Sequence, residues 1–219
     1  MFKDKKITFL GDSITQGYMA EDPNNSYVNV FKKKTGAIVT NLGIGGTRFA
    51  YQKAPSLENL EYDKYFESRI CDIPLDSDII VVFGGTNDYG HGDAEFGSID
   101  DETIYTFCGA LNSIMNKLKI VFPKSLIVFC TPTRRMKEDK ESLNDFGKPH
   151  HGSLKDYRDA IITISKKHNI PVIDLYTLYK IDPTKEEERD KYMKDGLHPN
   201  DIGHKMLADV FIENLSKLI

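Results

Sequence analysis

Three residues of this chain have the types and separations that nucleophilic catalysis requires. Ser13 follows a short apolar run in "FLGDSITQG", Phe9 to Gly17, while Asp195 and His198 stand three apart in "DGLHPND" near the other end. A serine hydroxyl attacks well only when a base takes its proton, and the base needs a partner that fixes its tautomer. The short spacing lets the Asp195 carboxylate turn back to one ring nitrogen of His198, leaving the other free to face Ser13. Acyl transfer further needs donors aimed at a developing oxyanion. Candidates are the backbone N–H of Ser13, the backbone N–H of Gly46 and the side-chain amide of Asn87. Glycine suits the second position because a backbone without Cβ can approach a substrate closely, and Gly43 or Gly45 would serve if the loop ran differently.

Each residue also has a plainer use. Ser13 or Asp12 can cap a helix, Asn87-Asp88 can form an Asx-turn, and His198 can be an ordinary residue ahead of a helix cap. Asp12 and Asp88 are expected to bind loop amides. Convergence in space decides between the two sets of roles, so the elements that carry these residues matter.

Short apolar runs recur at Ile7–Leu10, Ala37–Asn41, Asp78–Phe83, Ser125–Cys130 and Pro171–Leu175. They are rich in Val, Ile and Phe without clean alternation, the pattern of strands buried on both faces. Amphipathic stretches lie between them. One places Ile104, Phe107, Cys108, Leu111, Ile114, Met115 and Leu118 on a stripe that ends at Pro123. Another carries Leu154, Tyr157, Ile161 and Ile164 behind Ser153 and Asp156, an imperfect relative of a capping box. A third runs from about Asp201 to the end with Ile202, Met206, Val210 and Phe211 inward. Tyr27–Lys34, stopped at Gly36, predicts a shorter helix, and Leu57–Ile70 a further one. Alternating strands and helices predict an α/β, three-layer α/β/α sandwich around a five-stranded parallel sheet in order 2-1-3-4-5, in one domain over residues 1–219.

In such sheets ligands sit beyond the carboxyl ends of the strands. Strand one ends in Gly11-Asp12-Ser13, strand two in "NLGIGGTR", strand three in "GGTNDYGHG" and strand four in "TPTRR"; "DGLHPND" precedes the last helix. Topology therefore brings the chemistry-bearing loops to one rim.

The net charge of −4 arises from interspersed signs, which gives no nucleic-acid-binding face, and runs such as Lys32-Lys33-Lys34 read as solvated helix surface. The four-residue apolar run Ile7–Leu10 is too short for a secretory signal, and no stretch approaches the ~18 residues of a membrane span. Cys71, Cys108 and Cys130 are odd in number and scattered in apolar segments, which predicts reduced, core-packed thiols and a cytoplasmic protein. His168 closes a helix, where a cation suits the macrodipole. No metal-binding pattern is present in the sequence, and the glycines after strand two have neither dinucleotide nor phosphate-loop spacing.

"GDSIT", "NLGIGG", "GGTND" and "DGLHPN" occur in the order and approximate spacing of the SGNH/GDSL hydrolase family, over Gly11 to Asn200. No single one of these motifs is very specific, but four in register resemble that family across nearly the whole chain. The resemblance implies ester or thioester hydrolysis without a metal or cofactor. It implies Ser13 as nucleophile, His198 as general base, Asp195 as its orienter, and Gly46 and Asn87 completing an oxyanion hole with the Ser13 amide. Thr47-Arg48 departs from the pair that often follows that glycine in relatives, so Arg48 either contacts substrate or braces the loop.

The segment "TRRMKEDKESLNDFGKPHHGS" is long for a loop and contributes Arg134, Arg135, Phe146 and His151; Tyr89 and His91 flank the same rim. Arg48, Tyr89, His91, Arg134 and His151 are therefore candidate substrate-binding residues. Their polarity predicts a small acyl group on a polar alcohol, such as a sugar O-acetyl ester, in preference to a long-chain lipid. A lysophospholipase, a thioesterase or a non-catalytic carbohydrate-binding relative are the alternatives.

Overall fold

The computed structural model describes residues 1–56, 59–144, 147 and 149–219. In chain order the elements are β1 (Lys6–Gly11), α1 (Ser13–Gln16), α2 (Tyr27–Thr35), β2 (Ile38–Gly43), β3 (Ile79–Phe83), α3 (Thr86–His91), α4 (Phe107–Val121), β4 (Leu126–Cys130), α5 (Leu154–Lys167), β5 (Val172–Ile173), α6 (Leu175–Leu178), α7 (Glu186–Tyr192) and α8 (Asp201–Leu215). Short 3-10 turns cover Pro23–Asn25, Leu60–Asp63 and Phe66–Asp72. The five strands are parallel in the order β2-β1-β3-β4-β5, as the alternation of apolar runs and amphipathic stretches predicts.

Strand side chains alternate between two apolar layers. Leu10, Ile80, Val82 and Phe129 face α4 and α5, packing against Phe107, Leu111, Tyr157 and Ile161. Phe9, Val81, Phe83 and Val128 face α2 and α8. There Phe9 meets Tyr27, Phe31 and Phe211 edge-on at 5.6, 5.4 and 5.6 Å. Each such fully buried ring is worth about 1.5–3 kcal/mol of transfer free energy, so the two layers hold the sheet between its helices.

Caps set the helix starts. Ser153 and Asp156 form a complete reciprocal capping box at α5, and the Thr106 side chain caps α4. Asp12, not Ser13, caps α1: its Oδ1 accepts from the Ile14 amide at 3.0 Å. Gly36 closes α2 in the left-handed region at φ 70°.

Several expectations are corrected. Ile104 lies in a turn before α4, because Thr106 stops the helix there. The inward face of α8 is Gly203, His204, Leu207, Ala208, Phe211 and Leu215; Ile202 is exposed, and Met206 and Val210 lie at the margin. Of Leu57–Ile70, Leu57 and Glu58 lie outside the described residues, and Asn59–Ile70 carries two 3-10 turns in place of a helix. The last strand shortens to Val172–Ile173, since Leu175 opens α6. Cys108 and Cys130 are buried, but Cys71 is exposed.

The register makes the strand ends level. Gly11 pairs with Gly43 on one side and Phe83 on the other; Phe83 pairs with Cys130, and Cys130 with Ile173. Whatever follows each strand therefore starts from one line. Gly43 is tightly confined there: a Cβ on it would stand 2.1 Å from the Gln16 amide nitrogen, so α1 can cross the end of β2 only over a glycine.

Asp12 sits completely buried beneath this line, and its Oδ2 has no partner among the described residues. Burial raises its pKa from the ordinary 3.8 to about 6, partly opposed by the Ile14 amide. A raised carboxyl pKa means that the folded state holds its proton more tightly. The resulting contribution to stability is complete below about pH 3.8 and is lost as pH rises through about 6. Asp12→Asn keeps the capping oxygen without the charge. Its melting temperature is expected to gain on the wild type between about pH 4 and about pH 7.5; an unchanged difference, measured by thermal denaturation at both values, would contradict the assignment.

Candidate active site

The level strand ends place Ser13 at the start of α1, Gly46 in the turn after β2, and Asn87 in the first turn of α3. His198 arrives from the loop before α8. Its Nε2 lies 2.8 Å from Ser13 Oγ, and its Nδ1 lies 2.6 Å from Asp195 Oδ2. Asp195 is fixed by its own loop, with Oδ1 accepting from the amides of Leu197 and His198 at 2.9 and 2.7 Å. Gly196, at φ 78°, makes the turn that folds carboxylate and imidazole together. Burial raises the Asp195 pKa, but the bonds from the His198 ring and from those two amides outweigh it and hold the group below the usual carboxylate value. Asp195 is thus an anion facing Nδ1–H, which leaves Nε2 as the acceptor for the Ser13 hydroxyl.

The oxyanion candidates sort themselves by hydrogen bonding. Gly43 donates to Asn41 Oδ1 at 2.9 Å and Gly45 to Gln16 Oε1 at 3.0 Å. Ile44 donates to the Gly11 carbonyl at 3.1 Å and Thr47 to the Ile44 carbonyl at 3.4 Å. The Gly46 amide is left over among these, and its φ of 73° is a conformation that glycine adopts freely. The Ser13 amide belongs to the first turn of α1, where N–H groups lack helical acceptors. Asn87, buried at 3% exposure, directs Nδ2 to the Thr47 carbonyl at 2.9 Å, which holds its amide beside the Gly46 turn.

Below the site lies a polar layer that the sequence motifs did not announce. Arg69 is 2% exposed and donates to the Gly11 carbonyl at 3.1 Å, to Thr47 Oγ1 at 3.0 Å, and to the Leu42 carbonyl, tying the ends of β1 and β2 to the Gly46 turn. Burial lowers its pKa to about 10, with Asp12 acting in the opposite sense. Asp88 accepts from the amides of Phe49 and Ala50 at 3.0 and 2.9 Å, as expected of a loop-binding residue. Burial lifts its carboxyl to about 6 against those bonds. Two tyrosines also went unsignalled. The exposed Tyr18 ring stands edge-on to His198 at 4.7 Å, and Tyr62 lies so close to Gly46 that an added Cβ would meet its ring at 2.8 Å. Tyr18 sits in the turn after α1, and Tyr62 in the 3-10 turn Leu60–Asp63, where a helix over Leu57–Ile70 gave no reason to place it beside Gly46.

The five candidate substrate-binding residues take varied positions. Arg48 is 5% exposed and donates to His91 Nδ1 at 2.5 Å. Tyr89 is buried, stacks on His150 at 4.0 Å and donates to the Asp139 carbonyl at 3.1 Å. Arg134 pairs with Glu138, and with Asp182 at 2.7 Å, bracing the long loop. His151 lines a depression with Phe96, Lys140 and Asp156, and none of Ser13, Asp195 and His198 is among the residues lining it. Phe146 lies outside the described residues. His168 is not the expected cation: burial, with Lys119 and Lys167, lowers its pKa, and its Nε2–H donates to Asn112 Oδ1 at 2.8 Å. His204, behind the site, is likewise held neutral by burial; its Nδ1 accepts from the Tyr27 amide at 3.3 Å and its Nε2 donates to the Tyr18 carbonyl at 3.2 Å. Among the described residues no cluster of His, Cys, Asp and Glu could hold a metal, and no helix is long and apolar enough to cross a membrane.

The arrangement can activate a serine hydroxyl beside a set of fixed N–H donors, and the chain's relatives have the same architecture. A protein of known structure from Lactobacillus plantarum is 26% identical, with both chains covered in full (100%) and a TM-score of 0.82. A protein described as a GDSL-like lipase from Bacteroides uniformis is 21% identical over 98% of this chain and 96% of its own, with a TM-score of 0.69. An acetyl xylan esterase is 24% identical over 95% of this chain and 98% of its own, with a TM-score of 0.65. No curated protein matches the chain. The model of the GDSL-like lipase/acylhydrolase family matches residues 9–206. With the order and direction of its strands and the length of that match, the chain belongs to the GDSL-like lipase/acylhydrolase family.

Proposed function

We propose that this chain is a serine esterase of the SGNH type, one catalytic domain over residues 1–219, that hydrolyses small acyl esters through an acyl-serine intermediate. The observation that carries the proposal is the continuous hydrogen-bonded line Ser13 Oγ, His198 Nε2, His198 Nδ1, Asp195 Oδ2, with separations of 2.8 and 2.6 Å. Ser13 Oγ attacks the acyl carbonyl while its proton passes to His198 Nε2. Asp195 and, more remotely, the buried Asp12 favour the imidazolium that results. The carbonyl electron pair moves onto oxygen, where the amides of Ser13 and Gly46 and Nδ2 of Asn87 are the donors. Collapse expels the alcohol, which takes the proton from His198. Water, deprotonated by the same nitrogen, then releases the acid and restores Ser13.

An acetyl group on a polar alcohol, such as a carbohydrate O-acetyl ester, suits the surroundings best. Tyr18 beside His198 and Tyr62 beside Gly46 offer flat, hydroxyl-bearing faces to a sugar ring, and the nearby loops are polar. The structurally similar acetyl xylan esterase supports the same chemistry. The scattered Cys71, Cys108 and Cys130, free as thiols, favour a reducing, cytoplasmic setting.

Steady-state kinetics on p-nitrophenyl esters test the proposal. Ser13→Ala is expected to lower kcat by about 10⁴-fold or more. Asn87→Ala is expected to lower it by about 10²–10³-fold with KM little changed, the signature of a donor used in the transition state. Acetate should be preferred to octanoate; a strong preference for octanoate would contradict the small-acyl assignment.

A further inference from the structure

The side chain of Asn87 is useful to an oxyanion only one way round, with its NH₂ toward the Gly46 turn and its oxygen turned away. What fixes that polarity is a chain of donors behind it. A guanidinium has only donors to offer, so the contact of 2.5 Å between Arg48 Nη2 and His91 Nδ1 makes Nδ1 the acceptor. The ring proton then resides on Nε2, which lies 3.0 Å from Asn87 Oδ1 and donates to it. With Oδ1 occupied as an acceptor, Nδ2 must face the Thr47 carbonyl, where it lies at 2.9 Å, leaving its second hydrogen for a ligand.

The geometry points to Arg48 and His91 as positioning residues that set the direction of the Asn87 amide and so complete the oxyanion hole. The inference rests on the proposed esterase chemistry, in which Asn87 is an oxyanion donor. Arg48 is itself anchored, donating from Nη1 to the Tyr62 carbonyl at 3.4 Å and lying 3.9 Å from Asp63. His91 sits one turn after Asn87 at the end of α3, the spacing at which helical side chains meet. Burial, reinforced by Arg48 and Arg135, lowers the His91 pKa to about 3, so the ring stays neutral and its single proton stays on the Asn87 side. Arg48 and His91 thereby act through Asn87 without touching the substrate themselves.

His91→Gln and His91→Glu test this with nearly equal shapes. Gln can accept from Arg48 and donate to Asn87 Oδ1; Glu can pair with Arg48 but offers Asn87 only acceptors, which turns the amide over. With p-nitrophenyl acetate, His91→Gln should stay within about threefold of wild-type kcat, while His91→Glu should lose about 10²-fold with KM within about twofold, the scale of one lost oxyanion donor. Glu also adds a charge, so both changes are repeated in the Asn87→Ala enzyme, where the gap between Gln and Glu should collapse to less than about threefold, since sites that act as one unit are not additive. No gap in the wild-type background, or an undiminished gap in the Asn87→Ala background, would overturn the inference. Should the Glu variant fail to fold, His91→Met removes the donor without adding charge and makes the same comparison. If Asn87→Ala alone left kcat intact, the oxyanion assignment would fall first and the relay with it; an Asn87→Ala loss with no Gln–Glu gap would overturn the relay alone.

Discussion

The hydrogen bond between Ser13 and His198 joins residues 185 positions apart, and it forms because parallel strands can end on one line. With Gly11, Gly43, Phe83 and Cys130 in register, each following loop begins from a shared edge. Helix α8 packs on the same apolar layer as β1 through Phe9 and Phe211, which brings the loop before α8 over the end of β1. The Ser13–His198 separation is thus set by core packing on one face and strand pairing on the other. A slip of one residue in β1 would carry Ser13 away from the base and turn every side chain of that strand to the wrong layer.

The polar layer beneath the site works by a different principle. Arg69 gathers three acceptors from β1, β2 and the Gly46 turn, and Asp88 gathers two amides from the following loop. Burying these charged groups costs free energy, as the raised pKa values of Asp12 and Asp88 record. What the cost secures is backbone fixed around the strand ends, with the Gly11 and Leu42 carbonyls held by Arg69 and the Phe49 and Ala50 amides by Asp88. Donors fixed in advance need no reorganisation when charge develops on an oxygen, and that is where they contribute most to rate. The Arg48, His91 and Asn87 chain extends the same economy from backbone to side chain.

Most of the sheet, and the residues that meet at the candidate site, were legible in the sequence. Strands buried on both faces leave continuous apolar runs, and the chemistry-bearing residues sit directly after them, so the parallel order and the rim followed together. Less legible features share physical causes. In α8 the small residues Gly203 and Ala208 and the polar His204 face inward, so a search for large apolar residues rotates the helix too far toward Ile202. The segment around Asn59 is held by local bonds, Asn59 Oδ1 accepting from the Glu61 amide and the Asp63 carboxylate from Ser56, and it buries Phe66, Arg69 and Ile70 without a helical period. Arg48, His91 and Tyr89 look like site-facing polar residues by type, yet each is engaged by protein groups that sequence spacing does not reveal. His168 carries the helix-end position of a cation but is buried against Asn112, and burial wins.

The central claim is that Ser13 is the nucleophile, activated by His198 across the rim of the sheet. Its most direct test is reaction of the folded protein with a fluorophosphonate, followed by intact-mass measurement and peptide mapping. One adduct on Ser13, absent from Ser13→Ala and strongly slowed in His198→Ala, is the predicted result. A folded wild-type protein that remains unlabelled, or that carries its adduct on another residue, would contradict the account.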